Sequence, residues 1–233
     1  MKLKGRLRAI AEMVPKCNLI CDIGTDHAYI PIYLVKSSIC KRAIITDIKQ
    51  GPINIAENNI RENHLEDCIE TRLGDGLHPL DNNEIDVLII AGMGGKLMAK
   101  ILWEGISKAM NANLLILQAM NGLELVTQWL FEEGFDICDE ELVEDDNRIY
   151  NIKAARWTGV KKVYNNVDLH ISKKLIEKNN PLLIEYIDRK LAVLDKIISG
   201  LQKTNKNSAE AETELYKMEI LKKDMTEIIN NMR

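Results

Sequence analysis

The chain is 233 residues long, 46% hydrophobic and carries a formal net charge of −4, which suits one core-forming domain with room for an appendage. It has no apolar run of the roughly eighteen residues that a membrane helix needs, and its basic opening MKLKGRLRAIAEMV lacks the apolar centre of a secretion signal, so a cytoplasmic protein without a membrane partner is expected. The five cysteines are scattered, odd in number and without a C-x-x-C or a nearby histidine pair, which argues against both a disulfide framework and a bound metal.

The opening segment is basic: within residues 1–16, Lys2, Lys4, Arg6, Arg8 and Lys16 stand against Glu12 alone. A first strand is read over Leu19–Ile23. It runs through Asp22 to Gly24 and the polar knot Thr25-Asp26-His27 before apolar spacing resumes at Tyr29. Further β-branched runs at Arg42–Ile48, Ile69–Leu73, Ile85–Ala91 and Leu114–Gln118 alternate with amphipathic stretches such as PINIAENNIRENH and GKLMAKILWEGISKAM. That alternation predicts βαβ units in a mostly parallel, Rossmann-like α/β sheet. A sixth strand over Phe135–Val143 is followed at once by EDDN and a seventh alternating run, and so short a link permits only an antiparallel return. Trp103, Trp129 and Trp157 fall within these patterns and are assigned to the core, Asn121-Gly122 to a turn before a helix. His64, His78 and His170 receive no functional assignment.

Charge is distributed unevenly. Residues 132–146 hold nine acids and no Lys or Arg, whereas 148–178 hold eight basic residues, among them Arg148, Lys153, Lys161 and Lys162, against Asp168 and Glu177. Two concentrated basic segments on an acidic protein suit a polyanionic partner, with plain solvation of helix faces as the alternative. After Asn179 the pattern changes. Leu183, Ile187, Leu191, Leu194, Ile198 and Leu201, then Leu215, Met218, Leu221, Met225, Ile228 and Met232, recur at spacings of three and four. A coiled-coil-like helical hairpin is predicted, its second helix capped by Asn207 with Glu210. The organisation expected is an α/β domain over 1–160, a basic connecting segment over 161–178 and the hairpin over 179–233.

In doubly wound sheets ligands sit at the carboxyl ends of the strands, near the switch in strand order. Four such ends carry acids or glycines: Asp22 with Gly24, Asp47 with Ile48, Asp75 beside Gly76, and Gly92-Met93-Gly94. An acid ending the second strand can take both ribose hydroxyls, and Asp75 is placed to accept from an adenine amine. A dinucleotide would need G-x-G-x-x-G, so that helix N–H groups meet its phosphates. The loop here is D-x-G-x-D, and carboxylates repel phosphate. They suit S-adenosylmethionine, which carries an ammonium and a sulfonium. Met93 reads as a wall of this pocket. Asp26 either holds the cofactor's amino-acid end or caps the following helix; His27 and Tyr29 line the methyl channel, stack a base, or only pack the loop. The candidate cofactor set is therefore Asp22, Gly24, Asp26, His27, Asp47, Ile48, Asp75, Gly76, Gly92, Met93 and Gly94, with His27 and Tyr29 nearest the chemistry.

DIGTDHAYIP, ITDI, GDGL and AGMGG, followed by the C-terminal hairpin, resemble the bacterial tRNA adenine-22 N1-methyltransferase family within the class I S-adenosylmethionine-dependent methyltransferases, across the whole chain. The loop departs from the wider class's E/D-x-G-x-G-x-G by placing Asp26 and Ala28 at the later glycine positions. The resemblance implies methyl transfer to N1 of an adenine in tRNA, adenine 22 in that family; a monomeric enzyme is expected. AGMGG stands where amino-methylating enzymes carry an Asn-Pro-Pro-Tyr type motif, which argues against methylation at N6. Lys2, Lys4, Arg6, Arg8, Arg148, Lys153, Lys161 and Lys162 are then the candidate tRNA contacts, and the hairpin the element that positions the tRNA. Two rivals stand beside this reading: a NAD-type oxidoreductase on a similar sheet, against which the acidic loop speaks, and a non-catalytic RNA-binding protein that retains a cofactor pocket.

Overall fold

The alternating strand and helix segments assemble into one seven-stranded sheet. The computed structural model describes residues 2–81, 85–204 and 209–232. Its strands are β1 (Cys17–Ile23), β2 (Cys40–Asp47), β3 (Ile69–Leu73), β4 (Val87–Met93), β5 (Leu114–Ala119), β6 (Phe135–Asp145) and β7 (Arg148–Trp157), in the order β3-β2-β1-β4-β5-β7-β6. Pairings among β1 to β5 are parallel, and β7 runs antiparallel to both β5 and β6. The mostly parallel sheet with an antiparallel last strand is thus present, but that strand does not lie at the edge. β7 inserts between β5 and β6 and buries the unbroken run Asn151–Ala155, as an inner strand must, whereas β6 alternates buried and half-buried positions. Acids on the exposed edge strand also discourage further strand pairing.

Around the sheet lie α1 (Gly5–Glu12), α2 (Tyr29–Lys36), α3 (Gln50–Glu62), α4 (Gly95–Glu104), α5 (Ile106–Asn111) and α6 (Leu123–Glu132). Ile10, Ile32 and Ile60 from α1, α2 and α3 share one apolar cluster with alternate strand residues, including Ile20, Ile45, Ile89 and Ile116. The intervening strand residues Ile44, Leu88, Ile90 and Leu115 are buried as well, so both faces of the sheet are covered. Trp129 is buried, but Trp103 and Trp157 are not core residues: they are 65% and 46% exposed. Met98, Ile101 and Leu102 take the inner face of α4 and leave Trp103 outside, while the Trp157 indole donates to the Glu133 carbonyl at 3.2 Å.

Met1–Tyr164 and Asn165–Arg233 form two compact units. Within the first, Lys162 N–H donates to the Phe131 carbonyl at 3.0 Å and the Tyr164 hydroxyl to Glu132 at 2.8 Å, which anchors the start of the basic segment. The second holds a 3₁₀ turn (Asn166–Leu169), α7 (Lys173–Glu177), α8 (Leu183–Thr204) and α9 (Ala209–Met232). Ser172 caps α7 by accepting from Leu175 N–H at 3.2 Å. Leu183, Ile187, Leu194 and Ile198 of α8, and Leu221 and Met225 of α9, are buried in the seam, with Ile229 rather than Ile228 in the deep position. The Asn207 cap lies outside the described residues. Among the described residues no helix is long and apolar enough to cross a membrane.

Candidate active site

The strand order reverses between β1 and β4, and the acids and glycines singled out in the sequence gather at that switch. Short bonds lace the loops together. Gly24, at φ +74°, donates its N–H to the Thr46 carbonyl at 2.7 Å, and the Thr46 hydroxyl donates to the Gly76 carbonyl at 3.2 Å. A side chain at position 24 would strain this left-handed turn. Gly95 N–H donates to the Asn121 carbonyl at 2.8 Å, and a Cβ at Gly95 would collide with the Gly122 carbonyl, so only glycine lets the two loops meet.

Two cavities open between these loops. The larger, about 520 Å³, is lined by Gly24, Asp26, Asp47, Ile48, Asp75, Gly76 and Met93, a size suited to an adenosine-type ligand. Lys49, Leu97, Lys100 and Glu104 also line it and were not singled out in the sequence. The smaller, about 240 Å³, shares Gly24 and Asp26 with the first and adds Asp22, His27, Tyr29 and Gly92. Gly94 lines neither and serves as the N-cap residue of α4. Asp47 accepts from Lys49 N–H at 2.7 Å through one carboxylate oxygen. Asp22 is 4% exposed; burial pushes its carboxyl up to about 7, and a hydrogen bond with Thr25 offsets part of that rise. The Thr25 hydroxyl accepts Ala28 N–H at 3.3 Å, and Ala28 enters α2 at φ +59° without a side-chain cap. Asp26 therefore does not cap α2. The His27 and Tyr29 rings stack on each other, centroids 5.0 Å apart and planes 8° from parallel, and Asn59 fixes the loop by donating to the His27 carbonyl at 2.9 Å.

The basic residues divide sharply. Lys2, Lys4, Arg8, Arg148 and Lys161 are exposed, with Arg8 paired to Glu12 at 2.7 Å. Lys162 is exposed but pairs with Asp136 and stands over the Phe131 ring. Lys153 is not a surface cation. Its side chain is fully buried in β7 and ion-paired with the buried Glu140 at 2.8 Å, and Glu140 also accepts from Asn151 at 2.5 Å. Arg6 belongs to the cavity rather than the open surface: it lines the smaller one and donates to the buried Gln118. The clue to Gln118 in the sequence is one polar residue near the end of the apolar strand LLILQA. All five cysteines are free thiols, and burial pushes Cys17 up to about 11 and Cys40 up to about 12, which keeps them protonated. Among the described residues no group of three or more His, Cys, Asp or Glu could hold a metal ion.

Known proteins share this fold. A family model described as a methyltransferase domain matches residues 3–152. The tRNA (adenine(22)-N(1))-methyltransferase of Bacillus subtilis (strain 168) is 31% identical over 229 residues, covering 95% of this chain and 96% of the relative. The crystal structure of the B. subtilis M1A22 tRNA methyltransferase TrmK superposes with a TM-score of 0.87 at 28% identity, over 98% of this chain and 99% of that one. M. capricolum TrmK, solved with the cofactor product S-adenosyl-homocysteine, gives a TM-score of 0.83 at 26% identity, over 100% of both chains.

Proposed function

The chain belongs to the family of tRNA (adenine(22)-N(1))-methyltransferases, and we propose that it transfers the methyl group of S-adenosylmethionine to N1 of adenine 22 in tRNA. The observation that carries this reading is the pair of adjoining cavities at the sheet's switch point, which share Gly24 and Asp26, one adenosine-sized and the other walled by His27 and Tyr29. The donor set fits the cofactor. Asp22, Asp26, Asp47 and Asp75 suit a ligand with two cationic centres and hydroxyls to donate, and would repel the pyrophosphate of NAD. That disfavours the oxidoreductase reading.

When bound, S-adenosylmethionine supplies an electrophilic methyl; adenine N1 takes it with its lone pair, and the electrons of the broken C–S bond stay on sulfur. Asp47 takes the ribose hydroxyls and Asp75 the adenine amine of the cofactor. Asp22 and Asp26, shared between or bordering the two cavities, face the positive charge that moves from sulfur to the adenine ring and stabilise it. N1 is neutral and needs no base to free its lone pair, so His27 and Tyr29 act as a flat wall that aligns the target base. Lys2, Lys4, Arg8, Arg148 and Lys161 meet tRNA phosphates, so affinity is expected to fall steeply with salt. The second unit positions the tRNA, and the enzyme works as a monomer in the cytoplasm. The test is labelled methyl transfer to unmodified tRNA, with digestion to nucleosides. N1-methyladenosine at position 22 is expected; no incorporation, or an N6 product, would refute the reading.

A further inference from the structure

Among the described residues Arg6 is the only Lys or Arg that lines the smaller cavity, and several contacts fix its place there. Its backbone N–H donates to Asp145 at 3.1 Å, Nη1 donates to Gln118 Oε1 at 2.5 Å, and its guanidinium stands 5.3 Å from the Tyr150 ring centroid. Gln118 is buried and cannot turn away: the same Oε1 accepts Gly92 N–H at 3.2 Å, while Nε2 donates to the Ala119 carbonyl at 2.8 Å. A neutral amide therefore holds the guanidinium. Arg8, Arg72 and Arg189 each pair with a glutamate, whereas no carboxylate pairs with the Arg6 side chain among the described residues. Its charge is thus not neutralised by a direct ion pair, and its Nε and Nη2 donors have no protein partner among those residues.

We propose that Arg6 grips a phosphate adjoining the target adenosine and so sets how the base enters the cavity, an inference that rests on the tRNA-methylating reading above. A guanidinium fork presents two parallel donors and matches a group with two acceptors. The outer edge of adenine offers one acceptor, N7, beside one donor, the N6 amine, and fits the fork poorly. A phosphate offers two acceptors and a negative charge. The remaining charged walls of the cavity are the carboxylates of Asp22 and Asp26, so the Arg6 end is where an anion is tolerated. Arg6 is a positioning residue in this scheme, distinct from Arg8, whose exposed side chain lies against Glu12.

The test is a double-mutant cycle between enzyme and substrate. Wild type, Arg6→Gln and Arg6→Lys are assayed on tRNA carrying an uncharged methylphosphonate at the linkage 5′ or 3′ to the methylated adenosine. Arg6→Gln is expected to lower kcat/KM on normal tRNA by roughly 10- to 150-fold, the scale of a charge-assisted hydrogen bond, with S-adenosylmethionine affinity and Tm unchanged and partial recovery in Arg6→Lys. One of the two neutral linkages should cost the wild type a similar factor and cost Arg6→Gln almost nothing more. Losses that multiply at both linkages would overturn the phosphate assignment, as would an Arg6→Gln defect that follows lost cofactor affinity or lost Tm. A wild type that methylates no tRNA would instead refute the functional reading itself.

Discussion

Asp22 is buried and also lines the reaction cavity, so one side chain carries both a stability signature and a binding signature. Its carboxyl is raised from 3.8 to about 7 by burial. A raised acid contributes stability that is fully present below its unfolded value and is lost as pH climbs through the folded one. Asp22→Asn removes that titration, so the stability of the variant relative to wild type is expected to improve between about pH 4 and 7, as thermal melts would show. A cationic ligand acts in the opposite sense by favouring the carboxylate. S-adenosylmethionine should therefore expel a proton when it binds below about pH 7, tighten as pH rises to that value and level off above it. Calorimetry in buffers of different ionisation enthalpy reads that proton, and Asp22→Asn should lose it. Wild-type affinity indifferent to pH across this window would remove Asp22 from the cofactor's charge. Asp47→Ala should weaken cofactor binding by roughly 1.5–3 kcal/mol, and unchanged affinity in a folded variant would end the ribose assignment. Asp22, Asp47 and Asp75 were legible in the sequence because each stands at or just after the end of an apolar or β-branched run, Asp22 and Asp75 with glycines close by. The pairing of Arg6 with Gln118 at the cavity was not, because the two lie 112 residues apart and meet only when α1 is set against the end of β5.

At the scale of the element, β7 shows what periodicity conveys and what it hides. Its antiparallel pairing with β6 follows from the two-residue link after Asp145, but its insertion between β5 and β6 does not, because a hairpin can add to a sheet by either strand. Lys153 disguised the insertion: it lies in the segment 148–178, rich in basic residues, and it entered the tRNA set on that ground. Inside the sheet it is the counterion of Glu140, with Asn151 as a further donor. Removing one member of such a pair leaves the other charge buried and unmatched. Lys153→Met is thus expected to destabilise the protein by about 3–5 kcal/mol, and adding Glu140→Leu should restore most of that loss. Urea unfolding measures both variants. The folded double variant should bind tRNA as the wild type does; a clear loss of tRNA affinity there would return Lys153 to the RNA-binding set.

At the scale of the whole molecule, each of the two units closes its own core. The sheet's apolar cluster draws on residues from Leu3 to Ala154, all in the first unit, and the seam between α8 and α9 is filled from within the second. Every residue lining the two cavities precedes position 105. A chain ending at Tyr164 should therefore fold, stay monomeric and bind S-adenosylmethionine with wild-type affinity. Methylation of tRNA should nevertheless drop sharply. A cavity that admits one adenine cannot choose among the many adenines of a folded tRNA, so a second surface must fix the substrate's register, and the hairpin is the unit left without a part in the chemistry. Its nine acids and nine bases balance over residues 179–233, so it would recognise shape through a few placed contacts rather than through bulk charge. Dimerisation along the same helices is the competing use for it, and comparing the sizes of the full and shortened proteins in solution separates the two. A shortened, monomeric protein that methylates tRNA at the wild-type rate would show that the first unit selects its adenine unaided.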